Sequence, residues 1–156
     1  MDTLQDIIAY LLKHYPHKNE LSNARLTKMV YLADWRNAVL ARRQLTDIDW
    51  YFDNYGPFVS DVKQAVQQEP DIFTVRKTEN LYGNSKTLIE LNDDSYQPSL
   101  SKATKEVLDH VIETTKQLGW NGFISLVYGT YPIASSPRYS MLDLVALASK
   151  YVDRQK

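Results

Sequence analysis

Apolar side chains recur at three- and four-residue steps through Leu4, Ile7, Ile8, Leu11, Leu12 and Tyr15, which predicts an amphipathic helix over 3–15 that Pro16 stops. A second stripe, Leu26, Met29, Val30, Ala33, Asn37 and Leu40, follows Ser22 and Asn23, either of which can cap a helix ending near Arg42 and Arg43. The period then shortens to two. Ile48, Trp50 and Phe52 alternate with Asp49, Tyr51 and Asp53, the pattern of a half-buried strand near 48–53. Gly56-Pro57 punctuates the chain, and Pro57 is suited to preset the first turn of a third helix over 58–68, closed by Pro70.

Residues 72–76 and 87–91 read as two strands of a hairpin, with a turn over 80–85 whose tight part is Gly83-Asn84. Asn92 to Ser99 has turn and linker chemistry. Ala103, Val107, Leu108, Val111, Ile112 and Thr115 share one helical face, with Gly119 placed to terminate it. A short helix is expected over 121–128 and an ordered loop over 129–138, with Pro132 and Pro137. Ser140-Met141-Leu142-Asp143 resembles a capping box opening a last helix to Val152. Without an internal repeat, the expectation is one α+β domain over 1–156. It is mostly helical, with a small antiparallel β element: a strand near 48–53 and a hairpin near 72–91.

Composition narrows the chemistry. The 156 residues include no cysteine, which removes disulfides, thiolate nucleophiles and sulfur-based zinc sites. No apolar run is long enough for a membrane span, and Asp2 and Asp6 stand where a signal peptide carries basic residues, so cytoplasm is the expected compartment. The net charge of -1 gives no global case for nucleic acid. Its distribution is uneven: about +3 over 1–46, -6 over 47–100 and +2 over 101–156. The acidic middle holds Asp47, Asp49, Asp53, Asp61, Asp71, Asp93 and Asp94, a solvated surface or a negative face for a partner. Eleven tyrosines supply much of the aromatic content, and tyrosine suits surfaces that must be both apolar and wettable.

Catalytic patterns are sparse. The five glycines form neither a dinucleotide fingerprint nor a phosphate loop, and there is no nucleophile elbow. His14 and His17 are separated by the helix-ending Pro16, which argues against a shared metal. His110 lies a turn from Glu106 and Glu113, as in a charge cluster supporting a helix. Asp47, Asp49 and Asp53 could hold a divalent cation for phosphodiester chemistry, but the Glu-x-Lys expected on a neighbouring strand is missing at Glu90-Leu91-Asn92. No cofactor, metal or enzymatic activity is therefore expected. Arg25, Lys28, Arg36, Arg42 and Arg43 give the second helix a basic edge of the winged-helix kind, followed at once by acids that repel a phosphate backbone.

Two segments are more specific: Arg25-Leu26-Thr27-Lys28-Met29-Val30-Tyr31-Leu32-Ala33-Asp34-Trp35 and Trp50-Tyr51-Phe52-Asp53-Asn54-Tyr55-Gly56-Pro57-Phe58-Val59. Together they resemble the SocA-like antitoxin family, the Panacea domain, and related phage-associated proteins, over a region from the first helix to the last. Arg25 replaces a frequent lysine and Phe58 a frequent valine. The segment Leu126 to Pro132 matches only loosely, so no role is transferred to it, and the DNA-binding appendage of some relatives is missing.

The resemblance implies an antitoxin that neutralises a cognate protein toxin by direct contact, the toxin being encoded by an adjacent gene. Two alternatives remain open: an adaptor delivering the toxin to an ATP-dependent protease, and a DNA-binding regulator. Lys28, Tyr31, Gly56 and Pro57 fit an architectural role, with Lys28 and Tyr31 clamping the Tyr55-Gly56-Pro57 turn through its carbonyls. Asp49, Trp50, Tyr51, Asp53, Tyr55 and Phe58 form the expected partner-binding set, aromatic anchors flanked by acids.

Overall fold

A computed structural model of the chain describes residues 2–79, 82–83 and 85–155. Helix α1 (Leu4–His14) is capped by Thr3 Oγ1, which accepts from Asp6 N at 3.1 Å. A 3-10 turn at Lys18–Glu20 leads to the long α2 (Asn23–Ala41). Ser22 is its cap, accepting from Arg25 N at 3.1 Å, and Arg42 ends it in the left-handed region at φ 57°. Then come β1 (Trp50–Asp53), β2 (Gly56–Pro57), α3 (Asp61–Gln67), β3 (Phe73–Glu79) and β4 (Ser85–Leu91). The C-terminal part contains α4 (Lys102–Thr115), α5 (Trp120–Tyr128), α6 (Tyr131–Ser135), β5 (Met141–Leu142) and α7 (Leu144–Arg154).

The α+β class holds: the described residues form seven α-helices, a three-stranded sheet in the order β2-β1-β5, and the β3-β4 hairpin, all strands antiparallel. Helix α2 is the axis. It packs against α1, α3, α4, α7 and β4, so every residue from Arg25 to Trp35 is buried. A helix enclosed on all sides has no polar face to keep in water, and Thr27, Lys28 and Asp34 are carried into the interior with the apolar stripe. That stripe runs out before its predicted end, and Leu40 is exposed. One buried cluster spans Ile7 of α1 to Ala148 of α7.

Several details differ from the sequence pattern, among them Gly119, which stands as the N-cap of α5 while α4 ends at Thr115. Pro57 lies in β2, opposite Phe52, and α3 begins only at Asp61, so the proline presets a strand rather than a helical turn. Met141 and Leu142 pair with β1, and the cap of α7 is Asp143, which accepts from Ala146 N at 3.1 Å. The predicted loop over 129–138 contains α6, where Pro132 occupies the first turn and its missing N–H costs no hydrogen bond. On α4 the exposed Ala103 gives way to buried Thr104. In the β3-β4 turn Gly83 has φ +79°, while Asn80, Leu81 and Asn84 lie outside the described residues. The segment after β4 is tied down: Tyr96 O accepts from Lys13 Nζ at 2.8 Å, and Tyr96 OH donates to Asp6 Oδ1 at 2.5 Å.

Candidate partner-binding face

Strand β1 is the centre of the candidate site. Its register opposes Trp50 to Leu142, Tyr51 to Met141, Phe52 to Pro57 and Asp53 to Gly56. Directly opposed residues share a face, so Trp50, Phe52 and Leu142 turn into the core while Tyr51, Asp53 and Met141 turn outward. Asn54 and Tyr55 make the connection with negative φ, and Gly56 follows at φ +99°. A short connection followed by a glycine in the left-handed region lets two antiparallel strands close without splaying. Phe58 N then donates to Tyr51 O at 3.0 Å.

This turn presents large side chains to solvent. Tyr55 is 80% exposed, Tyr139 58% and Met141 62%. Tyr139 N donates to Phe52 O at 2.6 Å, and its hydroxyl donates to Asn54 Oδ1, so it belongs to the same surface. Tyr51, Asp53 and Phe58 are half-buried around it, and Asp49 is exposed at its edge. Arg138 lies over the Phe52 ring at 5.7 Å from its centroid.

Of the predicted partner-binding set, Asp49, Tyr51, Asp53, Tyr55 and Phe58 reach the surface. Trp50 does not. It is fully buried, so as a surface anchor it is withdrawn; its role is to hold β1 onto α2. Trp50 Nε1 donates to Asp34 Oδ2 at 2.8 Å, and its ring meets Tyr31 edge-on, centroids 5.5 Å apart.

Asp34, to which the sequence pattern gives no role, is the polar pivot beneath the candidate site. Its Oδ1 accepts from Leu45 N at 2.9 Å and Thr46 N at 3.0 Å. Its Oδ2 accepts from Thr46 Oγ1 at 2.5 Å, Gln44 Nε2 at 3.3 Å and Trp50 Nε1. Burial pushes this carboxyl up to about 6, against the opposing pull of these donors. The knot fixes the segment between α2 and β1.

The clamp expected from Lys28 and Tyr31 takes another form. Tyr31 OH lies 2.8 Å from Thr130 Oγ1, joining α2 to the α5–α6 connection rather than to the turn. Lys28 passes under Gly56 without a hydrogen bond to the turn's carbonyls; a Cβ on Gly56 would stand 3.7 Å from Lys28 Cε and 3.7 Å from Tyr128 Cζ. Tyr128, in the loosely matching segment, therefore packs against the signature turn.

The remaining candidate chemistries are also placed. Arg25 and Lys28 are buried, which removes them from the basic edge of a winged helix. Arg25 Nη2 donates to Tyr15 OH, Thr115 O and Leu118 O at 2.8, 3.0 and 2.9 Å, and its guanidinium stacks 4.4 Å over Phe123. His110 is exposed, and Glu113 pairs with Lys116 at 2.9 Å. Among the described residues no three His, Asp or Glu side chains are grouped to hold a metal, and no helix is long and apolar enough to cross a membrane.

The family model for the SocA-like antitoxin, Panacea domain, matches residues 26–131. The chain belongs to this family. The Panacea match begins one residue after Arg25 and stops at the start of α6, so it takes in nearly all of both signature segments while α1, β5 and α7 lie beyond it. Membership of a family named for antitoxins supports an antitoxin-like role, with a protein toxin as the general class of partner. No curated protein and no solved structure matches the chain.

Tyr139 and Met141 were missed by sequence reasoning. Met141 enters the face through β5, whose two residues are too few to show a period, and Tyr139 through the segment just before it, by its bond to Phe52 O.

Proposed function

We propose that this Panacea domain neutralises a cognate toxin by direct protein–protein contact, in the cytoplasm and without chemistry of its own, through the outer face of β1, its turn and β5. The observation that carries the reading is the exposure of Tyr55, Tyr139 and Met141 on the segments that border β1, its turn and its β5 neighbour. A monomer gains nothing by leaving three such side chains in water together, and aromatic and methionine side chains are enriched at interface centres. Asp49 and Asp53 border the patch and supply negative charge to steer a basic toxin surface.

The test is co-expression with the protein encoded by the adjacent open reading frame. Induction of that protein alone should arrest growth, this chain should restore it, and the two should copurify. Tyr55→Ala should weaken the complex about 30-fold, the cost of about 2 kcal/mol for a central aromatic anchor. Rescue without copurification would overturn direct contact and favour delivery to a protease. A harmless neighbour would remove the antitoxin reading.

A further inference from the structure

Lys28 is 3% exposed, and among the described residues it has neither a hydrogen bond nor an ion pair. Its surroundings come from three elements. Gly56 of β2 and Tyr128 of α5 flank the stem, and the Phe58 ring centroid is 5.9 Å from Nζ. Asp53 is the charged group acting on it; burial pushes the amine down, and this carboxylate pushes it back up. Arg25 Nε is the one sealed side-chain nitrogen or oxygen without a partner among the described residues. Lys28 Nζ, equally without a partner, is therefore not sealed: it meets solvent through the small opening that its residual exposure leaves.

A largely desolvated ammonium with no protein acceptor, reached only by the water its residual exposure admits, is a cost in the free protein. That cost is reversed when an acceptor enters from outside, and a carboxylate is the acceptor that also matches the charge. We infer that the opening beside Gly56 and Phe58 receives an acidic side chain of the toxin, an Asp or Glu whose carboxylate accepts from Lys28 Nζ. This rests on the proposed docking face, since Asp53, Gly56 and Phe58 belong to both. Asp49 and Asp53 select a basic surface, and Lys28 demands one acid within it. A pair of reversed polarity inside a steered interface fixes register and rejects toxins that lack the acid.

The test uses the full chain and the toxin found by growth rescue. Lys28→Met keeps length and volume while removing the charge. The free variant should melt at the same or a higher temperature, yet bind the toxin at least about tenfold more weakly, the loss of one charged hydrogen bond. Asn and Gln replacement of each toxin acid should find one whose loss weakens wild-type binding but leaves binding by Lys28→Met unchanged. Unchanged affinity of Lys28→Met, or no such acid, overturns the inference.

A second measurement requires neither a variant nor the toxin. The Lys28 13Cε resonance is followed in the intact chain during titration with propionate and, separately, propionamide. A saturable shift with propionate alone supports a carboxylate pocket; equal responses, or none, overturn it. If the neighbouring gene's product does not bind the wild-type chain, the docking reading fails by itself, and the propionate titration decides the pocket.

Discussion

Asp34→Ala removes the acceptor from five donors at once. Four of them lie in partly buried pairs and can turn to water as the segment relaxes, but Trp50 Nε1 is sealed with its acceptor. Stranding a buried donor from a charged acceptor costs about 1.5–3 kcal/mol, and loosening the other four adds about 0.5 kcal/mol each. The expected loss is about 3–5 kcal/mol, a large part of the about 5–15 kcal/mol that holds a domain together. Urea denaturation followed by circular dichroism measures it without depending on Trp50 as a probe. Trp50→Phe and the double variant complete a cycle, in which the indole–carboxylate coupling should be about 1.5–3 kcal/mol. A cost below about 1 kcal/mol for Asp34→Ala, or a coupling of zero, would refute the role of Asp34 as the pivot under β1.

Other outcomes follow from the same geometry. The Asp34 carboxyl is raised from 3.8 to about 6 on folding, so the proton-linked part of its stabilising contribution is complete below the unfolded value and lost as pH rises through about 6, leaving the hydrogen bonds to the carboxylate in place. Wild type should therefore gain up to about 3 kcal/mol over Asp34→Asn between pH 7 and pH 4, and a flat difference would remove the buried titration. Gly56→Ala meets ordinary contacts but must hold φ +99°, and denaturant curves should show a loss of about 1–2 kcal/mol. Arg25→Met removes three hydrogen bonds made by one buried cation and should cost about 3–5 kcal/mol by the same assay, with Arg25→Lys failing to restore it. Charge reversal at Asp49 and Asp53 should slow toxin association more than reversal at Asp93 and Asp94, and stopped-flow rates at low and high salt would expose equal effects.

What was legible in the sequence were the elements with enough length to show a period. The α1 stripe and the Ile48, Trp50, Phe52 alternation place the buried faces correctly. The same alternation could not say how β1 is completed, because each neighbouring strand has two residues and no period. Trp50 illustrates the limit. Aromatic identity marks it equally as core or anchor; its step with Ile48 and Phe52 points to the core, and the opposing Leu142 and the Asp34 acceptor decide for it. The pattern alone offers Lys28 a place on a basic edge or in a clamp and gives Asp34 no role; what decides both is the enclosure of α2 on all sides, a fact that belongs to tertiary packing.

The sheet order β2-β1-β5 also governs when the molecule becomes competent during synthesis. Phe52 pairs with Pro57 almost as soon as both exist, but Trp50 must wait for Leu142, 92 residues further along the chain. A pairing across so long a loop forms late and slowly. Until then Trp50 and Phe52 lack one flank, and Tyr139 and Met141 are not yet beside Tyr55. The proposed docking face is thus completed only after an interval in which an incomplete copy offers its own strand edge instead.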